Sequence, residues 1–175
     1  MDNLVEQVVK RKKNSRYYMN IILIVLVAIL IPATLMACAF IFEMAYFSYV
    51  SLFVGLFCIY GAWFFISSLK VDYEYATFSG VLKIDKVIAN RRRRKVLKLY
   101  LKDIEELFEY SDEEMSKHNF RKVFSVAEND YSKGNYIMVF SIGKNKYAVD
   151  FMPNEELLKA MRPYLPREVA RTLYK

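Results

Sequence analysis

The sequence predicts an α+β membrane protein, in which a two-helix transmembrane hairpin precedes an antiparallel β domain closed by a C-terminal helix. Three observations predict this class. Residues 19–69 are almost continuously apolar, residues 71–152 form short alternating runs, and residues 154–165 show helical spacing. The chain has 175 residues, so about one compact domain can accompany the hairpin.

The apolar stretch is long enough for two membrane crossings. It holds about fifty residues, and one crossing needs about twenty. Glu43 is its one charged residue, which indicates a turn between helices at about residues 19–41 and 45–69. Pro32 should bend the first helix because proline lacks a backbone donor.

Basic residues flank the hairpin and are missing from its turn. Five of them lie between Lys10 and Arg16, and Lys70 follows the second helix. Short loops rich in Lys and Arg stay on the cytoplasmic side. We therefore expect residues 1–18 to be a basic cytoplasmic N-terminus, both termini to be cytoplasmic, and the protein to be multi-pass. Cleavage as a lipoprotein before Cys38 is disfavoured, because the apolar run continues past this residue.

Small residues in the hairpin predict where helices could pack. Ala33 and Ala37 lie four apart on the first helix, and Ser51 and Gly55 lie four apart on the second. Small residues allow close approach in lipid, although a span of this length also contains such pairs by chance. The middle of the hairpin has no ionisable residue, whereas ion pathways usually need one. The hairpin is therefore expected to be an anchor or a docking surface and not a conduit.

After residue 70 the pattern changes to alternating apolar and polar residues, as in strands with one buried face. Residues 71–77 and 81–88 flank the turn signal Ser79-Gly80 and predict a β-hairpin. Residues 97–101 predict a further strand. Residues 103–110 fit either a helical turn or a strand, and the polar residues 112–120 predict a loop. The remaining predicted strands are residues 123–126, 136–142 and 147–152, the last two joined by a turn at 143–146.

A helix is expected to close the domain. Asn154 is a plausible N-cap, and the acidic residues Glu155 and Glu156 suit the first turn. The residues that recur at helical spacing and form a face to cover the sheet are Leu157, Leu158, Met161 and Leu165.

Five to seven antiparallel strands closed by one helix is the plan of a pleckstrin-homology-like (PH-like) barrel. The chain resembles small bacterial membrane proteins in which two N-terminal spans precede a cytoplasmic PH-like domain. The matching stretches are residues 71–75 (VDYEY), 101–105 (LKDIE) and 151–158 (FMPNEELL). The resemblance covers most of the chain. It implies an inner-membrane protein with a PH-like domain over residues 70–175, and it brings no catalytic residues.

No motif for catalysis or cofactor binding is recognisable in the sequence. There is no phosphate-binding loop, nucleophile elbow or Cys-x-x-Cys pair. His118 is the one histidine and lies in a polar segment, where a surface position is expected. We therefore predict a non-enzymatic domain without a metal or other cofactor.

The candidate binding site is a run of five cations, here called the basic run, which Lys98 extends: Arg91, Arg92, Arg93, Arg94 and Lys95. Near a membrane, each basic residue is attracted to anionic headgroups by roughly 1 kcal/mol. Three interpretations remain open for it: specific binding of a headgroup or partner, non-specific lipid attraction, or a solvated turn. Pairing with acidic residues 103–109 is a further alternative. Nucleic acid is not an expected partner.

Two functional hypotheses follow from the sequence. The first is a membrane-anchored PH-like domain that acts as a lipid-proximal scaffold or interaction module. The second is an accessory subunit of a larger membrane complex for transport or the envelope, docked through the small-residue pairs as a hetero- or homo-oligomer. Transport by the hairpin itself is disfavoured, because the membrane interior lacks an ionisable group.

Overall fold

The structure is a computed structural model that describes residues 4–43 and 45–172. Among these residues the chain divides into two compact units. One unit is the helical hairpin, residues 13–70. The other unit combines the residues up to Lys12 with those from Val71 onward, so the hairpin is an insertion within the β domain.

The hairpin unit consists of helix α1 (Ser15–Ile41) and helix α2 (Ala45–Ser68). Both are long and apolar enough to cross a bilayer, with mean hydropathies of 3.0 and 2.0 over 18-residue windows. Glu43 lies between them with a positive φ of 51°, as expected for a turn residue. The first helix begins four residues earlier than the apolar pattern suggested.

The two helices pack where α2 has small side chains. The Ser51 hydroxyl is buried and donates to the carbonyl oxygen of Pro32 at 2.9 Å. A β-carbon on Gly55 would lie 3.7 Å from the Pro32 Cβ, so Pro32 fits against the groove that this glycine leaves. Ala33 and Ala37 are exposed. Within the hairpin, Ser51 and Gly55 therefore pack against Pro32 of α1.

The β domain contains two four-stranded sheets. The N-terminal sheet has the order β1-β2-β3-β4, and all neighbours are antiparallel. Its strands are β1 (Val5–Lys10), β2 (Val71–Phe78), β3 (Val81–Ile88) and β4 (Arg92–Tyr100). The C-terminal sheet has the order β5-β7-β8-β6, in which β6 runs parallel to β8. Its strands are β5 (Ile104–Glu109), β6 (Lys122–Ser125), β7 (Tyr136–Ile142) and β8 (Asn145–Phe151).

The core brings together the inward side chains of both sheets and the C-terminal helices. Tyr75, Phe140 and Phe151 are fully buried within it, and burying each large apolar side chain contributes about 1.5–3 kcal/mol. Helix α4 (Glu155–Met161) adds Leu157 and Met161. Its predicted cap is confirmed, because the Asn154 side chain accepts from the backbone N–H of Leu157 at 2.8 Å.

Several segments differ from their sequence-based expectations. Residues 5–10 form strand β1, although the sequence indicated only a basic N-terminus. Strand β4 begins at Arg92, five residues before the strand predicted over residues 97–101, and so includes most of the basic run. The ambiguous segment 103–110 is mostly strand β5, preceded by a 3₁₀ turn at Leu101–Asp103. The expected loop 112–120 contains a short helix, α3 (Asp112–Ser116), and helix α5 (Arg167–Thr172) ends the described chain.

Candidate functional site

The register of the N-terminal sheet collects basic residues at one of its ends. One row of paired residues crosses the sheet at this end. It consists of Lys10 on β1, Asp72 on β2, Val87 on β3 and Arg93 on β4. The next row along pairs Val71, Ile88 and Arg92. Strand β1 leads toward α1 from this end, and β2 follows α2 at the same end. We call it the hairpin-side end.

A tight turn presents the first residue of the basic run. Ala89 and Asn90 have φ values of 55° and 54°, as in the mirror-image turns that match the twist of paired strands. The Arg91 amide closes the turn by donating to the Ile88 carbonyl at 3.0 Å. The turn therefore fixes Arg91 at the hairpin-side end, and the other four members of the basic run follow along β4.

All five residues of the basic run are exposed, as is Lys98. Arg93 of the run forms an ion pair, in which its Nη2 lies 3.1 Å from Glu74 Oε1. The Arg93 side chain is 71% exposed, and such surface pairs contribute little stability. Pairing with acidic residues 103–109 was an alternative. Of these acidic residues, Glu105 and Glu106 lie near Lys146 of β8.

Lys98 lies away from the hairpin-side end. It pairs with Lys83 of β3, five residues along that strand from Ile88 at the turn. Strand β4 is also an edge strand, and charged side chains on edges prevent unwanted strand addition. The structure therefore divides the predicted site, placing the basic run at one end of β4 and Lys98 farther along the strand.

Arg11 is a cation whose role the sequence did not indicate. Its Nη2 lies 2.9 Å from Asp130 Oδ2, and its Nη1 donates to the Tyr73 hydroxyl at 3.0 Å. The neighbouring Lys12 amide donates to the Glu128 carbonyl at 2.9 Å. These contacts tie the segment after β1 to the loop of residues 126–135. The partners lie far away in sequence, so a local charge pattern could not reveal them.

The same loop is organised around Asp150, which is fully buried on β8. Its carboxylate accepts from Asn135 Nδ2 at 2.7 Å, from the Tyr131 amide at 2.9 Å and from the Ser125 hydroxyl at 3.1 Å. Burial raises the pKa of Asp150, and the three hydrogen bonds lower it only in part. Asp150 therefore acts as a structural acceptor inside the loop.

The expectation of a surface position for His118 is wrong. Its ring stacks between Phe108 and Phe120, at centroid distances of 5.9 and 5.4 Å. Its Nε2 lies 3.2 Å from Glu106 Oε2, and its side chain is 16% exposed. The two phenylalanines belong to a small cluster on the outer side of the C-terminal sheet, packed against Ile137 and Val139.

Within the described residues, no three His, Cys, Asp or Glu side chains are grouped for a metal ion.

A family model described as "Bacterial PH-like domain (DUF6106)" matches residues 1–171. The chain belongs to this bacterial PH-like domain family. The match begins ahead of β1, so the family extends over the N-terminal strand and the hairpin as well as the rest of the β domain. Comparisons with curated proteins and with solved structures found no match. The resemblance inferred from residues 71–75, 101–105 and 151–158 is thereby confirmed.

Proposed function

We propose that this bacterial PH-like domain protein is a non-enzymatic scaffold of the inner (plasma) membrane, with both termini cytoplasmic. In this proposal the hairpin anchors the domain, and the basic run contacts anionic lipid headgroups. The observation that carries it is the sheet register, which gathers Lys10 and the basic run at the hairpin-side end.

Exposed apolar side chains support a membrane position for the hairpin. Ile22 is 65% exposed and Phe57 is 77% exposed, as are many of their neighbours. Each large apolar side chain left in water forgoes about 1.5–3 kcal/mol of burial free energy. A bilayer removes this cost, whereas a monomer in water would keep it.

Pairing of β1 with β2 supports a topology with both ends of the hairpin on one side. The Arg11 amide donates to the Val71 carbonyl at 3.3 Å, so the chain leaves the sheet and returns to it at neighbouring positions. Such a chain crosses a bilayer an even number of times. The basic residues around both crossing points favour the cytoplasmic side for that end.

Charge and chain connectivity support the lipid contact. Only Leu69 and Lys70 separate α2 from β2, so the hairpin-side end is the part of the sheet that follows the membrane segment most directly. Anionic headgroups attract each nearby cation by roughly 1 kcal/mol, within a Debye length of about 8 Å at physiological salt. Several exposed arginines in one turn and strand would therefore hold this end on an anionic surface.

The test measures how close the β3–β4 turn lies to lipid. A fluorophore is attached to Asn90→Cys in the full chain, with Cys38 and Cys58 replaced by Ala. The protein is reconstituted in vesicles that carry headgroup spin labels, with or without phosphatidylglycerol. We expect stronger quenching with phosphatidylglycerol, and we expect the increase to disappear when residues 91–94 are changed to Ser.

A matched variant controls for net charge. It changes four exposed cations far from the turn in sequence to Ser, namely Lys133, Lys144, Lys159 and Arg171, and it should keep the wild-type quenching. Quenching that is independent of phosphatidylglycerol, or equal in both Ser variants, would remove the basic run from the mechanism.

The alternative function is that of an accessory subunit in a membrane complex. Exposure of Ala33 and Ala37 on α1 favours it, because small residues on a helix surface allow another helix to approach closely. Ala33→Leu with Ala37→Leu should then abolish cross-linking of α1 to a second membrane protein in cells. Unchanged cross-linking would exclude this face.

A further inference from the structure

We infer that the far end of the N-terminal sheet binds a segment of another protein on the same side of the membrane. This segment is acidic and rich in apolar side chains. This inference goes beyond lipid contact and uses the sheet end opposite the hairpin-side end. It starts from a row of apolar residues in which Val81 is half-buried and the others are exposed. Phe78 pairs with Val81, and Val81 pairs with Tyr100.

The row crosses the whole sheet. Val5 pairs with Thr77, so Leu4 continues the register opposite Phe78. Leu4 is 58% exposed, Phe78 53% and Tyr100 52%. Strands lie about 4.8 Å apart, so four adjacent positions form a continuous apolar strip roughly 15 Å long.

The strip lies on the outer face of the sheet. Side chains alternate between faces along a strand, and the next row inward consists of Thr77, Leu82 and Leu99, of which the first two are buried in the core. Exposed aromatic side chains gathered in one patch are typical of interaction sites.

Cations surround the strip on its β4 side. Lys98 and Lys102 lie two residues before and two residues after Tyr100, and Lys102 Nζ is 5.6 Å from the Tyr100 ring centroid. Lys83 pairs with Lys98 in the adjacent outer row. The Lys83 ammonium is paired with Asp85. Lys98 and Lys102 are therefore the principal cations that could contact a partner here.

This combination favours an acidic protein segment over a second copy of the chain. Carboxylates on the partner would meet Lys98 and Lys102, while its apolar side chains would cover Phe78 and Tyr100. A second copy of the chain would bring its own two lysines into the same interface, and like charges within one interface disfavour it. The formal net charge of the chain, +7, adds to that repulsion.

The experiment places a photoreactive benzoylphenylalanine at position 78 of the full chain in its own bacterium. The matched control carries it at Ile142, which is 60% exposed on β7 of the other sheet. We expect position 78, and not position 142, to cross-link to another protein, within a peptide that mass spectrometry identifies as acidic and apolar. Lys98→Glu with Lys102→Glu should reduce the yield about tenfold by placing like charges at the contact.

Each other outcome overturns the inference. It is contradicted if position 78 cross-links only to a second copy of the chain or only to lipid. It is also contradicted if position 142 cross-links equally well, or if the charge reversal leaves the yield unchanged. An absence of cross-links from position 78, with the chain at its normal level in the membrane, also contradicts it. None of these results depends on lipid contact by the basic run, so the two proposals fail separately.

Discussion

The Arg11 guanidinium donates from one nitrogen to both carboxylate oxygens of Asp130, at 2.9 and 3.2 Å. These residues are separated by 119 positions in sequence, and the whole hairpin lies between them. The contact joins the segment after β1 to the loop that Asp150 organises. The two chain segments that flank the inserted hairpin are therefore joined within the β domain by backbone pairing of β1 and β2, and the first of them is tied to a distant loop by this side-chain contact.

We expect Arg11→Gln to loosen the loop of residues 126–135. Both partners are about a third exposed, so the ion pair contributes at most about 1 kcal/mol, and the hydrogen bond to Tyr73 adds about 1 kcal/mol. Hydrogen exchange of the loop amides should accelerate in this variant. Lys98→Gln, which removes an exposed cation elsewhere, should leave those amides unchanged. Equal exchange in the wild type and Arg11→Gln would show that the contact carries no stability.

We expect Gly80→Ala to destabilise the domain more than Gly134→Ala. Both glycines have positive φ, 75° and 90°, so either substitution costs roughly 1–2 kcal/mol of backbone strain. Only at Gly80 would the new Cβ also meet a neighbour, 2.9 Å from Tyr164 Cδ1. Urea unfolding in detergent measures the difference. If the contact matters, adding Tyr164→Ala should recover part of the loss at Gly80, and equal losses for both glycines would contradict this explanation.

The stability of the domain should depend on pH through Asp150. Because its folded-state pKa is raised, the folded state binds this proton more tightly than the unfolded chain does. The resulting stabilisation is complete below the unfolded pKa of about 3.9 and is lost as pH rises through the folded pKa. Asp150→Asn removes this titration, although it also loses acceptor capacity for the three donors.

The measurement is thermal unfolding of both proteins by circular dichroism in detergent, at about pH 4 and pH 7. The melting temperature of Asp150→Asn minus that of the wild type should be larger at about pH 7 than at about pH 4. The reason is that only the wild type buries a charge at the higher pH. A difference that stays constant, or that falls with pH, would show that burial does not dominate at this site.

The topology predicts opposite labelling of two positions. In a chain with Cys38 and Cys58 replaced by Ala, Glu43→Cys should react with a membrane-impermeant maleimide in intact spheroplasts. Lys133→Cys should react only after lysis, because the proposed topology places the β domain inside. The reverse pattern would place the β domain outside and would remove the proposed access to cytoplasmic partners.

Local patterns in the sequence were sufficient for much of the fold. The apolar stretch is one continuous segment, and the turn at Ser79-Gly80 and the cap at Asn154 each involve a few neighbouring residues. The structure agrees with all three predictions. Strand β1 could not be predicted in the same way, because its partner β2 begins 61 residues after it ends. The position of His118 was predicted wrongly for a related reason, since one of the two rings that cover it, Phe108, lies ten residues away on strand β5.

The candidate site was predictable in composition and not in arrangement. The basic run is evident in the sequence, but its position at the same end of the sheet as Lys10 depends on the register of four strands. Arg11 was counted with the flanking cations, yet it is engaged by Asp130. The apolar strip needs the same register, because Leu4, Phe78 and Tyr100 are unremarkable when considered separately.

In the proposed function, the basic run holds anionic lipid at the hairpin-side end of the sheet. Native mass spectrometry of the full chain, released from its own membrane in mild detergent, measures the retained lipids directly. We expect anionic phospholipids to be enriched on the wild type and on the variant with four distant cations changed. The enrichment should be lost when residues 91–94 are changed to Ser. Equal anionic lipid on all three proteins would contradict the claim.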